Sequence, residues 1–176
     1  MNQNINSTTN NLKSNTFWGI IFVLITGTIA HFVYEWSDNS FIIGLFFPVN
    51  ESTWEHMKLC FFPMLLYSLY MNKKRKKEYP GVTSALLFGI LLSTFLIPVF
   101  FYTYSGIIGK TFMPLDIVTF IACVLLSFRA VYKLTLSEKL ISFTGVLKIF
   151  VIIIAVFFLL FSYNPPDISL FVNPER

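Results

Sequence analysis

Charge is scarce in this chain: of 176 residues, 12% are Asp, Glu, Lys or Arg, against 55% hydrophobic and 18% aromatic. A soluble domain carries about 25% charged residues, so this composition cannot clothe a water-facing surface of ordinary size. Cysteine is scarcer. Cys60 and Cys123 both lie inside apolar segments and share no CxxC spacing, which excludes a disulfide framework and a cysteine-rich zinc module. Histidine occurs only at positions 31 and 56, and neither stands in the HExxH spacing of a metalloprotease. No internal repeat is visible. The net charge of +4 does not point to nucleic acid, because the cations sit between apolar runs as they do in membrane-protein loops.

What the chain has in abundance is apolar length. Its mean hydropathy is +0.68, and it contains several runs near the roughly 20 residues that a helix needs to cross a bilayer. The expected fold is all-α, a polytopic transmembrane bundle of about five helices over 17–36, 53–71, 82–104, 114–132 and 141–163. Residues 1–16, rich in Asn, Ser and Thr with one cation at Lys13, read as a disordered tail. Residues 17–163 read as one bundle domain and 164–176 as a short tail. The segment 41–49, FIIGLFFPV, is apolar but too short to cross, and Gly44 and Pro48 argue against a regular helix. It reads as a re-entrant or interfacial dip, tolerated at membrane depth only where protein or a wet cavity covers its backbone.

The cationic run Lys73–Lys77 is the strongest topology signal. Placing it in the cytoplasm assigns every other loop by alternation. Ten cations then face two carboxylates on the inner side, and three cations face seven carboxylates on the outer side. The expectation is a bacterial cytoplasmic-membrane protein, amino terminus inside and carboxyl terminus outside. His31, Glu35, Glu51, Glu55, His56 and Asp116 then share the outer face.

These residues hold the chemistry. On a helix, His31 and Glu35 are one turn apart on one stripe, and ionisable groups at membrane depth are costly enough to mark function. In the stretch 48–58, Glu51, Glu55, His56 and Lys58 stand with Asn50 and Ser52. Ser52-Thr53-Trp54-Glu55 also matches a capping box, so Glu55 is read either as a helix cap or as a functional carboxylate. Two histidines and several carboxylates suit Zn²⁺ or another divalent metal. The candidate ligands are His31, His56, Glu35 and Glu55; the candidate catalytic carboxylates are Glu35, Glu51 and Glu55. Asn50, Ser52, Lys58 and Asp116 are further pocket candidates, although Asp116 also fits a helix start after Pro114. Cys60, one turn past His56, reads as a small core hydrophobe.

The segments HFVYEWS at 31–37, FFPVNESTWEHMKL at 46–59 and FFP at 61–63 resemble the signature of a family of small bacterial, clostridial-type multi-pass membrane proteins, a domain of unknown function. The resemblance implies membrane location and a special outer site; it assigns no reaction.

Whether the chain is an enzyme is left open by these residues. One expectation is a metal-dependent hydrolase in which a pocket carboxylate acts as general base toward a lipid-linked or small-molecule ligand. Another is a small-solute or proton-coupled transporter or binding subunit, which kinked helices and a re-entrant segment also suit. A third is a structural component of a membrane complex. The expected partner common to all three is the lipid bilayer.

Overall fold

The structure, a computed structural model, describes residues 2–174, with side chains described from Asn10 onward. The elements are α1 (Asn2–Trp36), a single turn α2 (Phe41–Gly44), α3 (Thr53–Arg75), α4 (Val82–Ile108), α5 (Met113–Ser137) and α6 (Thr144–Phe161). Short 3₁₀ turns occupy Ile141–Phe143 and Ser169–Phe171, and no strand occurs among the described residues. This is the expected all-helical bundle.

The five long helices alternate in direction, so their ends gather into two groups. At one end Asn15 of α1 meets Arg75 of α3, and Asn72 of α3 meets Thr83 of α4. At the other end His31 of α1 meets the loop before α3, and Tyr104 of α4 meets Asp116 of α5. We call these the basic end and the site end. α4 packs on α5, α3 and α6, while α1 packs on α3 and α5.

Four segments are long and apolar enough to cross a membrane: Asn10–Trp36, Val82–Ile108, Met113–Ser137 and Ile141–Phe161. α3 is not among them. It carries Glu55, His56 and Lys58 near one terminus and Lys73, Lys74 and Arg75 at the other. It is nevertheless the helix the others surround, with Met57, Cys60, Phe61, Met64 and Met71 all at 0 or 1% exposure. Protein receives the side chains of its buried face, so the polar groups there can be satisfied by neighbouring helices, while Leu66, Leu69 and Tyr70 stay exposed. α6 is the opposite case: only Val151, Ile154 and Phe158 are buried, and Ile149, Phe150, Ile152 and Leu160 stay exposed. Such continuous apolar surface on a helix suits lipid contact.

Residues 10–16 correct the expectation of a disordered tail. They are helix, continuous with the first apolar run. Leu12 is fully buried, the Asn15 Oδ1 accepts from Arg75 Nη2 at 2.9 Å, and the Asn15 carbonyl accepts from the Tyr67 hydroxyl at 2.5 Å. Polar residues without apolar periodicity look disordered in sequence; here partners on α3 supply the order that a hydrophobic stripe would otherwise provide. The other terminus also packs. Phe171 packs on Trp54 with ring centroids 4.8 Å apart and planes tilted by 35°, and the Ser169 carbonyl accepts a hydrogen bond from Tyr102 at 3.1 Å.

One glycine positions the site. A Cβ on Gly27 would lie 2.6 Å from the carbonyl oxygen of Leu59, so α1 and α3 touch backbone to backbone there. His31 is one turn after Gly27, and His56 is one turn before Leu59. The close crossing therefore brings the two imidazoles into one another's reach.

Candidate metal centre

α3 starts under local control. Ser52 is its N-cap, with Oγ accepting from the Glu55 amide at 3.3 Å, and Asn50 Oδ1 accepts from the Ser52 amide at 2.9 Å. The two bonds tighten the turn so that Glu51, between them, projects toward α1. Glu51 Oε1 lies 3.5 Å from His31 Nε2, and Glu51 Oε2 lies 3.7 Å from His56 Nε2. The imidazole centroids are 5.4 Å apart and the rings are tilted by 37°. One ligand atom from each of His31, Glu51 and His56 can be chosen so that all lie within 4.8 Å of one another, and all three residues are half-buried.

The tautomer of His56 follows from its other nitrogen. Nδ1 sits 2.9 Å from the Ser52 carbonyl oxygen, which can only accept, so Nδ1 carries a proton and donates. Nε2 is then either a lone pair or the second N–H of an imidazolium. Because Glu51 faces that nitrogen, a lone pair there stands opposed to a carboxylate unless something positive lies between. A fixed imidazole, oriented by a carbonyl on its far nitrogen, is the usual setting of a metal-bound histidine.

Distances fit a small cation. Zn–N and Zn–O bonds of about 2.0–2.2 Å in a tetrahedron place ligand atoms about 3.3–3.5 Å apart. The Glu51 contacts at 3.5 and 3.7 Å, one from each oxygen, stand near that spacing, and the set as a whole, within 4.8 Å, has to draw together further around an ion. Two histidines and one carboxylate are one of the three-ligand sets that leave a fourth position open.

A cavity of about 40 Å³ adjoins this group, lined by Glu51, Thr53, His56, Phe101, Asp116 and Pro174 among others. Its size suits two or three waters. Asp116 reaches it from the first turn of α5, where it accepts a hydrogen bond from the Tyr104 hydroxyl.

Two candidate ligands fall elsewhere. Glu35 is exposed at the end of α1 and does not join the group; one further turn along the helix carries it past the top of α3. Glu55 is 1% exposed and turned away from His56 into a different network. Its Oε2 accepts from the Val49 amide at 2.9 Å and from Lys58 Nζ at 2.7 Å. The return bond of a capping box, from the Glu55 side chain to the Ser52 amide, is replaced by the bond to Val49. Lys58, 1% exposed, also donates to Ser162 Oγ at 2.6 Å and to the Gly44 carbonyl at 3.0 Å. The pair therefore ties the 41–49 segment to α3 and α6. That segment is a helical turn followed by an irregular stretch, and Gly44 is buried so tightly that a Cβ would collide with Tyr163 and Val49. Cys60 is a core residue at 0% exposure.

Sequence reasoning placed Glu51 among catalytic carboxylates and not among ligands. It also missed Tyr104 and Phe101, which come from a mostly apolar and aromatic helix; no local spacing signals a residue brought in by tertiary packing.

A family described as of unknown function (DUF6512) matches residues 2–175, far beyond the stretch 31–63 over which the signature segments run. No curated protein and no solved structure matches the chain.

Proposed function

The chain belongs to DUF6512, a family of unknown function, and from the geometry of its site end we propose that it is a membrane-embedded divalent-metal protein, ligated by His31, Glu51 and His56, whose chemistry is hydrolysis of a membrane-partitioned substrate. The observation that carries this reading is the His56 arrangement: Nδ1 held by the Ser52 carbonyl and Nε2 turned onto a carboxylate shared with His31. His31, Glu51 and His56 would hold a divalent cation where these donor atoms converge. Bound there, such an ion would supply Lewis acidity toward a water or a substrate oxygen.

The chain's own residues then have distinct duties. Glu51 neutralises charge and holds both imidazoles in register through its two oxygens. Asp116, on the cavity wall and held by Tyr104, is the carboxylate available to take a proton from a water in the cavity. Leu59, Ile97 and Phe120 line the same cavity and favour an apolar substrate portion beside the reacting group. Its small volume leaves room for water and a reacting group, which favours hydrolysis over a solute path through the bundle. The charge asymmetry supports a site on the outer face of a cytoplasmic membrane, with the amino terminus inside.

A second reading draws on the same contacts: a carboxylate bridging two imidazoles is also a proton relay, as a proton-coupled transporter requires. Metal content separates the two. Full-length protein, stripped with chelator and reloaded with Zn²⁺ or Mn²⁺ in detergent, should bind one ion per chain by elemental analysis. Glu51→Gln and His31→Gln should weaken binding by at least about tenfold, and Glu35→Gln should leave it unchanged. A wild-type chain that binds neither ion, or a Glu51→Gln chain that binds as wild type does, overturns the metal reading and leaves the relay.

A further inference from the structure

A second site lies at the basic end, on the outside of the bundle. Lys13, Thr16, Phe17 and Ile20 of α1 face Leu125, Arg129 and Tyr132 of α5 across an open groove of about 290 Å³. The spacing on α1 is i, i+3, i+4, i+7 and on α5 is i, i+4, i+7, so each helix contributes a single stripe to the groove. The helices run antiparallel, and the groove is therefore graded along its length. Lys13, Arg129 and Tyr132 stand at the end nearer the termini of the two helices. Ile20 and Leu125 stand toward the middle of the apolar spans Asn10–Trp36 and Met113–Ser137. At 1.5 Å per residue the grade from Lys13 to Ile20 covers about 10 Å.

The two cations have no carboxylate to meet. None of the groove's lining residues is acidic, and the four ion pairs among the described residues do not include Lys13 or Arg129. Arg75 at the same end shows what structural duty looks like: it is buried, doubly bonded to Glu78 and bonded to Asn15. Lys13 and Arg129 are exposed. Beside the groove, on the neighbouring face of α1, Gly19 packs closely against the rings of Phe128 and Tyr67.

We propose that this groove binds one anionic phospholipid, its headgroup phosphate between Lys13 and Arg129 and one acyl chain along Phe17, Ile20 and Leu125. Charge complementarity names the head: two unpaired cations with no carboxylate select a phosphate, and Arg129 can hold its oxygens bidentately. The gradation names the tail, because a water-soluble phosphate has no use for an apolar channel that continues toward the bilayer centre. Basic pockets between membrane helices at the cytoplasmic side are the setting in which anionic headgroups are held. This site is independent of the metal centre, which lies at the other end of the bundle.

The test uses full-length protein exchanged into nanodiscs of phosphatidylglycerol and phosphatidylcholine, then released into detergent and weighed by native mass spectrometry. Wild type should retain one phosphatidylglycerol in preference to phosphatidylcholine. Lys13→Gln/Arg129→Gln should reduce that retention by about tenfold, since it removes both charges that meet the head. Lys76→Gln/Lys77→Gln removes the same charge from the same end outside the groove and should retain lipid as wild type does. Ile20→Trp keeps both cations while filling the channel, and should also lose the lipid. Excess glycerol phosphate should fail to displace it. Equal retention of the two lipids, undiminished retention in the groove double variant, or an equal loss in the Lys76/Lys77 control overturns the proposal. So does full retention by Ile20→Trp, or displacement by glycerol phosphate, either of which reduces the site to a surface phosphate contact.

Discussion

Replacing Glu55 by Gln offers a sharp contrast between a capping role and the role seen in the fold. A capping box accepts Gln in place of Glu, so a pure cap predicts almost no effect, and even loss of the cap costs about 1 kcal/mol. The structure instead buries the Glu55 carboxylate against Lys58, with side-chain exposures of 2% and 0% and a separation of 2.7 Å. Gln removes the charge and leaves the lysine buried among neutral acceptors only, the Gln amide oxygen, Ser162 Oγ and the carbonyls of Gly44 and Phe47. Breaking one half of a buried ion pair costs about 3–5 kcal/mol. For a chain of this size that corresponds to a melting shift of roughly 6–20 °C. Lys58→Met should cost a similar amount, and the double variant Glu55→Gln/Lys58→Met should recover much of it, because no unpaired charge is then left buried. The assay is thermal unfolding in detergent of the four proteins, followed as a double-mutant cycle, with metal content measured alongside. Metal binding should survive in each variant that folds, since neither residue belongs to the His31–Glu51–His56 group. A Glu55→Gln protein that melts with wild type would falsify the ion-pair account and restore the cap.

The helix crossing at Gly27 should be equally sensitive: Gly27→Val drives a side chain into the Leu59 carbonyl and Phe120, and should cost about 1–3 kcal/mol in stability together with measurable loss of metal, whereas an unchanged melt and metal content would show that the crossing relaxes freely. Gly106→Ala, in α4 with open space around it, should stabilise by about 0.5–1 kcal/mol, and a lower melting temperature would count against the helix continuing through that position. Reporter fusions after Met71 and Val131 should read cytoplasmic and those after Tyr104 and Asn164 external; a carboxyl terminus found in the cytoplasm reverses the orientation. Asp116→Asn should keep metal stoichiometry, and a chain that loses its ion would move Asp116 from the cavity wall into the ligand set.

The membrane-spanning character of α1, α4, α5 and α6 was legible because hydrocarbon imposes a length and a polarity that any reading of composition detects. α3 was legible for a different reason, through the Ser52 cap at one end and the cationic run at the other, though its own hydropathy falls short of the other four. The candidate site was legible in part. Scarcity drew attention to His31 and His56, and capping chemistry fixed where α3 begins, so the region followed from the order of residues alone. The partition of its carboxylates did not. Glu51, Glu55 and Glu35 differ little in sequence context, and helical spacing even favours Glu35 beside His31.

Tertiary structure made that partition through two contacts between distant segments. Gly27 against Leu59 set how closely α1 crosses α3, which put Glu51 rather than Glu35 between the histidines. Lys58 reached the Gly44 carbonyl and Ser162 across 14 and 104 residues of chain and drew Glu55 out of the site into its own buried pair. Residues 10–16 followed the same logic, ordered by Tyr67 and Arg75 rather than by any periodicity of their own. Local sequence determines solvent preference and helix ends, because those depend on a residue and its near neighbours. Which carboxylate meets which cation depends on distances set by packing, where a shift of one helical turn separates a candidate metal ligand from a buried salt bridge.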